Sequence, residues 1–276
     1  MKGLTPTRSK ERAPERVPLA STGLVGRLDR VHATAIIFSI GLTAYLAIEP
    51  TQDWLLLLLA MLMALGTDAI VRTHPQAGFH RLDDTALFLF VPVLFTLALG
   101  LFLEEVADGY WTVGAGLLAG IPLWAILHAE HISVDHKSPN YHSARLILNV
   151  ATYITALLFF AVIYDFNPGL LTASFAAGIV SLLLAIEVLR EEATDASQTL
   201  LHAVAIGTLL SEATWGTHFL PLDGESAAVF LLLAFYLMTG LMHNYLASRL
   251  NLRTAGEFTG VALAGLLILT LSQAYL

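Results

Sequence analysis

Long apolar stretches occupy most of this chain, and they restrict it to one class of structure. Crossing about 30 Å of hydrocarbon takes about 20 mostly apolar helical residues. Because backbone amides find no water partner in lipid, such stretches must be helical. The nine stretches that qualify are approximately residues 31–48, 54–72, 85–103, 110–131, 145–164, 168–189, 200–220, 226–247 and 258–275. The sequence therefore predicts an all-α integral membrane protein, a polytopic bundle of about nine transmembrane helices.

The cations of this chain indicate its orientation in the membrane. If the nine stretches cross in alternating directions, all 14 lysine and arginine residues fall on one side. The opposite loops carry acids, among them Glu104, Asp165 and Asp223, and no lysine or arginine. By the positive-inside rule, the N-terminus is predicted to be cytoplasmic and the C-terminus external, in a plasma (inner) membrane. The net charge of −8 reflects the acidic external loops, so nothing here favours nucleic-acid binding.

The segments outside the apolar stretches are short. Residues 1–30 hold seven cations and lack the apolar core, about 7 to 15 residues long, of a cleavable signal peptide, so they are predicted to be a flexible basic cytoplasmic tail. The connecting loops are too short to fold alone, which makes residues 31–276 a single transmembrane helical domain. The chain has no cysteine, and this excludes disulfides, thiolate metal sites and a cysteine nucleophile.

A histidine-rich stretch at the cytoplasmic end of the fourth span is the strongest candidate site. If the helix continues one turn past the membrane boundary, His128, His131 and Asp135 stand at positions i, i+3 and i+7 and share one face. Two imidazoles and one carboxylate can bind a divalent metal such as iron or zinc and leave positions open for a substrate. Glu130 and His136 are the candidate catalytic groups beside it. The alternative is a histidine-rich loop that only contacts headgroups and water.

Other spans supply candidates to complete the metal ligands, because three ligands from one helix seldom fill a coordination sphere. The candidates are His202, His243 and Glu187, all toward the cytoplasmic side. Each also has a structural interpretation. Glu187 can pair with Arg190 one turn later, and the histidines can hydrogen-bond an adjacent helix.

Three functions of different classes follow from this inventory. The first is a metal-dependent enzyme acting on a membrane-dissolved lipid or isoprenoid substrate. The second is a noncatalytic subunit or scaffold of a membrane complex, because no complete catalytic motif is present. The third is a proton-coupled transporter that uses Asp68, Glu187 and Glu212, which we expect to face protein because ionisable groups are costly in lipid. The zincin motif HExxH is missing, since the chain reads His128-Ala-Glu130-His131, and no two histidines are adjacent as in membrane desaturases.

Overall fold

The computed structural model describes residues 22–48, 50–75, 85–166, 168–190, 196–220 and 222–275. Within these ranges it contains ten α-helices, one short 3-10 helix at Ala86–Phe88 and no strand. In chain order the α-helices are α1 (Thr22–Ala47), α2 (Asp53–Arg72), α3 (Phe90–Val106), α4 (Tyr110–Leu118), α5 (Gly120–Ser133), α6 (Tyr141–Phe166), α7 (Leu170–Leu189), α8 (Ala196–Thr217), α9 (Gly224–Leu246) and α10 (Leu252–Tyr275). The prediction of an all-α bundle is confirmed for the described part of the chain.

Eight segments of the described chain are long and apolar enough to cross a membrane. They correspond to α1, α2, α3 with the 3-10 helix before it, α4 with α5, α6, α7, α9 and α10. The remaining predicted span, residues 200–220, is present as α8 but is less apolar. Its polar side chains include Thr208, Ser211 and Glu212. The class of a multi-pass helical membrane protein therefore stands, whereas nine crossings remain a prediction.

Two of the predicted boundaries differ from the structure. Helix α1 begins at Thr22, so the predicted basic tail of residues 1–30 becomes helical before its end, and residues 1–21 lie outside the described part. The fourth span is interrupted at Ala119, which separates α4 from α5. Pro122 explains this break, because proline has no N–H to bond the carbonyl of Leu118 and its ring crowds the preceding turn.

Contacts between helix termini define one end of the bundle. Arg145 near the start of α6 contacts Glu187 in the last turn of α7. Arg190, which follows α7, contacts Glu130 in the last turn of α5. These contacts bring together the termini that the sequence predicts to be cytoplasmic. We call this the basic end of the bundle, and the opposite end, where Glu104 accepts a hydrogen bond from the Tyr45 hydroxyl, the acidic end.

Helix α8 runs between these two ends. Its last residue, Thr217, hydrogen-bonds Tyr164 at the end of α6, where Gly224 begins α9. Near its other terminus, the ring of His202 lies 6.1 Å from that of Tyr245, close to the end of α9. Although α8 is less apolar than its neighbours, it therefore spans the same distance as α6 and α9.

Two apolar clusters fill the core. The first joins α1, α2, α3, α5 and the start of α6, and the second joins α3, α6, α7, α8 and α9. Helix α10 lies at the edge, where the ring of Phe258 packs against Gly240 of α9. Only 11% of the α10 span is buried, against 50% for α6 and for α7. The interior of the protein is thus formed by α1 to α9, and α6 and α7 are at its centre.

Candidate functional site

The most distinctive polar feature of the core is a chain of four charged side chains at the basic end. Arg145 Nη1 lies 2.8 Å from Glu187 Oε1, and Arg190 Nη2 lies 2.9 Å from the same oxygen. Arg190 Nη2 also lies 2.9 Å from Glu130 Oε2. We call Arg145, Glu187, Arg190 and Glu130 the buried ion cluster. It contains two arginines and two glutamates.

Three helices supply this cluster, and all four side chains are shielded from solvent. The side chains of Glu130 and Glu187 are fully buried, and those of Arg145 and Arg190 are 4% and 11% exposed. Arg145 also donates from Nη2 to the backbone carbonyl of Glu187, at 3.0 Å. Since charges in a low-dielectric interior must be paired, the cluster ties the ends of α5, α6 and α7 to one another.

The surroundings of Arg190 keep it charged. Burial alone would lower the pKa of this guanidinium, but the carboxylates of Glu130 and Glu187 outweigh burial and raise the pKa. The Phe88 ring lies below the guanidinium, with its centroid 4.5 Å from Cζ, an arrangement typical of a cation–π contact. Arg190 therefore joins the two carboxylates of the cluster.

Not every polar atom of the cluster has a partner. Glu130 Oε1, Glu187 Oε2 and Arg190 Nη1 are buried and accept or donate no hydrogen bond within the described structure. Buried polar atoms of this kind usually bind ordered water. The cluster therefore keeps unused donor and acceptor atoms in addition to its ion pairs.

The predicted metal-binding residues are not brought together in this structure. The imidazole of His128 stacks on Trp124, with ring centroids 5.4 Å apart and planes inclined by 4°. The imidazole of His131 instead contacts the edge of His74, which follows α2, at 4.9 Å. Each imidazole thus packs against a different aromatic ring.

The helix also ends too early for the predicted spacing. Helix α5 stops at Ser133, so Asp135 lies beyond it and does not share a helical face with His128 and His131. The Asp135 carboxylate accepts a hydrogen bond from the backbone N–H of Lys137 at 2.9 Å, which stabilises the turn after the helix. His136 stacks on Tyr141, with centroids 4.9 Å apart. The expectation of a helix to residue 135 was wrong.

The other predicted ligands and the predicted base are engaged elsewhere. Glu187 and Glu130 bind arginines within the buried ion cluster. His202 Nδ1 lies 2.7 Å from the Gln198 carbonyl on the same helix, and His243 lies in the last turn of α9. In the described part of the chain, no three side chains of histidine, aspartate or glutamate are placed to hold a metal ion. The placement of these residues therefore gives the predicted metal site no support.

A metal analysis of the purified protein tests that prediction directly. Because His131 contacts His74 rather than a set of ligands, we expect His131→Ala to leave the iron, zinc and manganese content unchanged, as measured by inductively coupled plasma mass spectrometry. The matched control is His142→Ala, an exposed histidine in the first turn of α6. Stoichiometric metal in the unaltered protein that is lost in His131→Ala alone would restore the metal site.

The three acids proposed for transport lie in three different environments. Asp68 forms an ion pair with Arg72 one turn later, at 2.7 Å, and also accepts a hydrogen bond from Thr85. Glu187 belongs to the buried ion cluster. Glu212 is exposed on the outer face of α8, so this chain does not bury it, and its contact with protein stays a prediction.

Sequence reasoning missed the arginine that neutralises Glu187 from another helix. The pairing of Glu187 with Arg190 was anticipated from their spacing, but Arg145 lies on a different helix and no local pattern connects the two. One signal was available, since Arg145 and Glu187 are both charged residues within apolar stretches at the same predicted depth. Such residues are expected to pair across helices.

An all-helical fold with eight segments long and apolar enough to cross a membrane in the described residues is typical of a multi-pass membrane protein. Over residues 30–272 the chain matches the family described as "Protein of unknown function (DUF5656)", and it belongs to that family. No curated protein and no solved structure matches the chain. Because the family description carries no activity, the function has to be argued from the structure itself.

Proposed function

We propose that this protein is a noncatalytic subunit of a larger membrane assembly and that it contacts its partner through the outer face of α8. In this proposal the chain crosses the plasma membrane nine times, with a cytoplasmic N-terminus and an external C-terminus, as its one-sided cations predict. The observation that carries the proposal is the position of Glu212.

The depth of Glu212 follows from the crossing of α7 and α8. These helices touch at Gly178 and Gly207, which lie near the middle of each helix, and a Cβ added to Gly207 would lie 2.7 Å from the Gly178 carbonyl oxygen. At 1.5 Å per residue, Glu212 lies about 7.5 Å along the axis from this crossing. The hydrocarbon extends about 15 Å from the bilayer centre. With the middle of α8 at the bilayer centre, as the proposed threading requires, Glu212 lies within the hydrocarbon.

An acidic side chain at this depth requires a polar partner. Its cost in lipid is roughly 3 kcal/mol or more, and such residues usually face protein. Within the described part of the chain, Glu212 makes no hydrogen bond or ion pair, and its side chain is exposed. A second membrane protein packed against α8 would supply the missing partner and shield the carboxyl group from lipid.

Three other acids in the spans, unlike Glu212, are paired with arginines of the same chain. Glu130 and Glu187 are neutralised by buried arginines, and Asp68 is neutralised by Arg72. These acids stabilise the bundle itself and need nothing from outside the chain. The lower hydropathy of α8 points the same way, because polar residues of membrane helices usually face protein rather than lipid.

Photocrosslinking in the native membrane tests the proposal. We expect a photoreactive amino acid at position 208, on the exposed face of α8 one turn from Glu212, to form a protein adduct of discrete mass. The matched control is the same amino acid at position 260, an exposed residue of α10 where an added Cβ would meet no atom within 4 Å. Gel mobility of the tagged chain after illumination gives the result.

The absence of a protein adduct at position 208 would contradict the proposal. If position 208 gives only lipid adducts, as position 260 is expected to do, α8 faces lipid and the proposed assembly is wrong.

The enzyme and transport hypotheses have less support, because the predicted ligands do not converge and the three acids lie in separate environments.

A further inference from the structure

We infer that the groove between α8 and α9 binds a phospholipid whose head group donates hydrogen bonds, such as an ethanolamine phospholipid. One acyl chain of this lipid lies along the groove, and its head group lies at the basic end, beside His202 and Tyr245. The inference does not rest on the proposed function. It follows from the walls of the groove, from its depth and from the hydrogen-bonding capacity of these two side chains.

The walls of the groove are apolar along most of its length. It has a volume of about 410 Å³. Ala205 and Leu209 of α8 line one side, and Met238 and Met242 of α9 line the other. Leu209 is exposed, so the groove is open at the surface of the bundle. Methionine side chains are unbranched and adapt to irregular apolar shapes. The groove therefore suits a flexible hydrocarbon chain.

The groove occupies one half of the membrane. It begins at His202 and Tyr245, near the basic end. It ends at Leu209 and Met238, which lie within about 5 Å of the middles of α8 and α9 at 1.5 Å per residue. A partner helix that crosses the membrane would need a surface about 30 Å long. A lipid of the leaflet at the basic end reaches only to the bilayer centre, so its acyl chain matches the groove better than a helix does.

Two polar side chains lie at the basic end of the groove. His202 Nδ1 lies 2.7 Å from the backbone carbonyl oxygen of Gln198. Because a carbonyl oxygen only accepts hydrogen bonds, Nδ1 carries the proton, and Nε2 of the neutral ring is an acceptor. The ring of Tyr245, a residue that is 60% exposed, lies 6.1 Å from the His202 ring. Neither His202 Nε2 nor the Tyr245 hydroxyl makes a hydrogen bond within the described part of the chain.

These groups select the head group of the lipid. The Nε2 acceptor of His202 requires an N–H or O–H donor. An ethanolamine ammonium group supplies one, whereas a choline nitrogen carries four carbon atoms and no hydrogen. The Tyr245 hydroxyl can donate to a phosphate oxygen. The exposed Arg249, which precedes Leu250 of the groove, adds a positive charge at the same end. Basic residues at this surface of a membrane attract lipid phosphates.

Lipid binding to the purified protein tests the inference. In native mass spectrometry, we expect dioleoylphosphatidylethanolamine to bind about tenfold more tightly than dioleoylphosphatidylcholine, because a hydrogen bond that involves a charged group contributes about this factor or more. The two lipids have the same phosphate and acyl chains and differ only in the methyl groups on nitrogen. The comparison therefore isolates the donor of the head group.

Two variants locate the binding site. His202→Phe keeps a flat ring but removes Nε2, so the two lipids should bind equally, whereas the control His218→Phe, at an exposed histidine after α8, should keep the preference. Ala205→Trp should fill the groove and weaken the binding of both lipids. The matched control is Ala264→Trp on α10, which should leave their binding unchanged. Both alanines are exposed, so neither change overpacks the core.

Several results would overturn the inference. Equal binding of the two lipids to the unaltered protein would refute the head-group assignment, and unchanged binding in Ala205→Trp would place the lipid outside the groove. In native membranes, a photoreactive amino acid at position 241 of α9, which lines the groove, should form lipid adducts. A protein adduct there would show that a protein occupies the groove. Lipid adducts at both 241 and 208 would support this inference and contradict only the proposed assembly.

Discussion

Replacing Glu187 with leucine is expected to cause the largest loss of stability in this protein. The change removes the carboxylate that binds both Arg145 and Arg190 and leaves two guanidinium groups less compensated in the core. Removing one partner from a buried ion pair typically costs about 3 to 5 kcal/mol. The free energy of unfolding, measured by circular dichroism as the protein is titrated from mild detergent into sodium dodecyl sulfate, should fall by about this amount.

The control for this experiment is an ion pair of the same residue types at the surface. Arg253 Nε lies 3.1 Å from Glu257 Oε1 on α10, with side chains 89% and 64% exposed. Glu257→Leu should leave the free energy of unfolding almost unchanged, because water screens exposed pairs. Equal losses in the two variants would show that the buried ion cluster does not stabilise the core.

A double-mutant cycle refines the interpretation. Arg145→Met in the Glu187→Leu background should cost much less than Arg145→Met alone, since the arginine has already lost its carboxylate partner. Fully additive losses would mean that Arg145 and Glu187 contribute independently, in conflict with the 2.8 Å contact between them.

Enlarging Gly207 is expected to cause the second largest loss, by separating α8 from α7. The Cβ of any larger residue there would lie 2.7 Å from the Gly178 carbonyl oxygen and 2.8 Å from the Cβ of Leu182. Backbone atoms cannot rotate away as a side chain end can, so the two helices must move apart. Overpacking of a core typically costs about 1–3 kcal/mol. Gly207→Leu should lower the free energy of unfolding in the same detergent titration by at least this amount.

The control for the helix crossing is Gly260→Leu. Gly260 lies on α10, where an added Cβ would meet no atom within 4 Å. The two variants add the same side chain to a helical glycine and differ only in the space available. If Gly260→Leu destabilises the protein as much as Gly207→Leu, the close α7–α8 crossing is not what limits the size of residue 207.

Some features of this protein follow from its sequence alone. Apolar stretches about 20 residues long require helices in lipid, so the helix type and most helix positions were predictable. The approximate end of the predicted sixth span, residue 189, agrees with the end of α7 at Leu189, where Arg190 follows. The pairing of Glu187 with Arg190 also followed from spacing, since residues one turn apart on a helix are neighbours whatever the rest of the fold does.

The tertiary structure decided which polar residues meet. The shared depth of Arg145 and Glu187 indicated only that the two could meet. Which charged residues pair, Arg145 with Glu187 and Arg190 with Glu130, depends on how the helices are placed in the bundle. The predicted metal trio does not share one helical face, because α5 ends at Ser133, two residues before Asp135, and a helix end depends on local turn contacts that periodicity does not report. Glu212 was expected to face protein, but the sequence of α8 could not show which neighbour covers it, and the structure leaves it exposed on this chain.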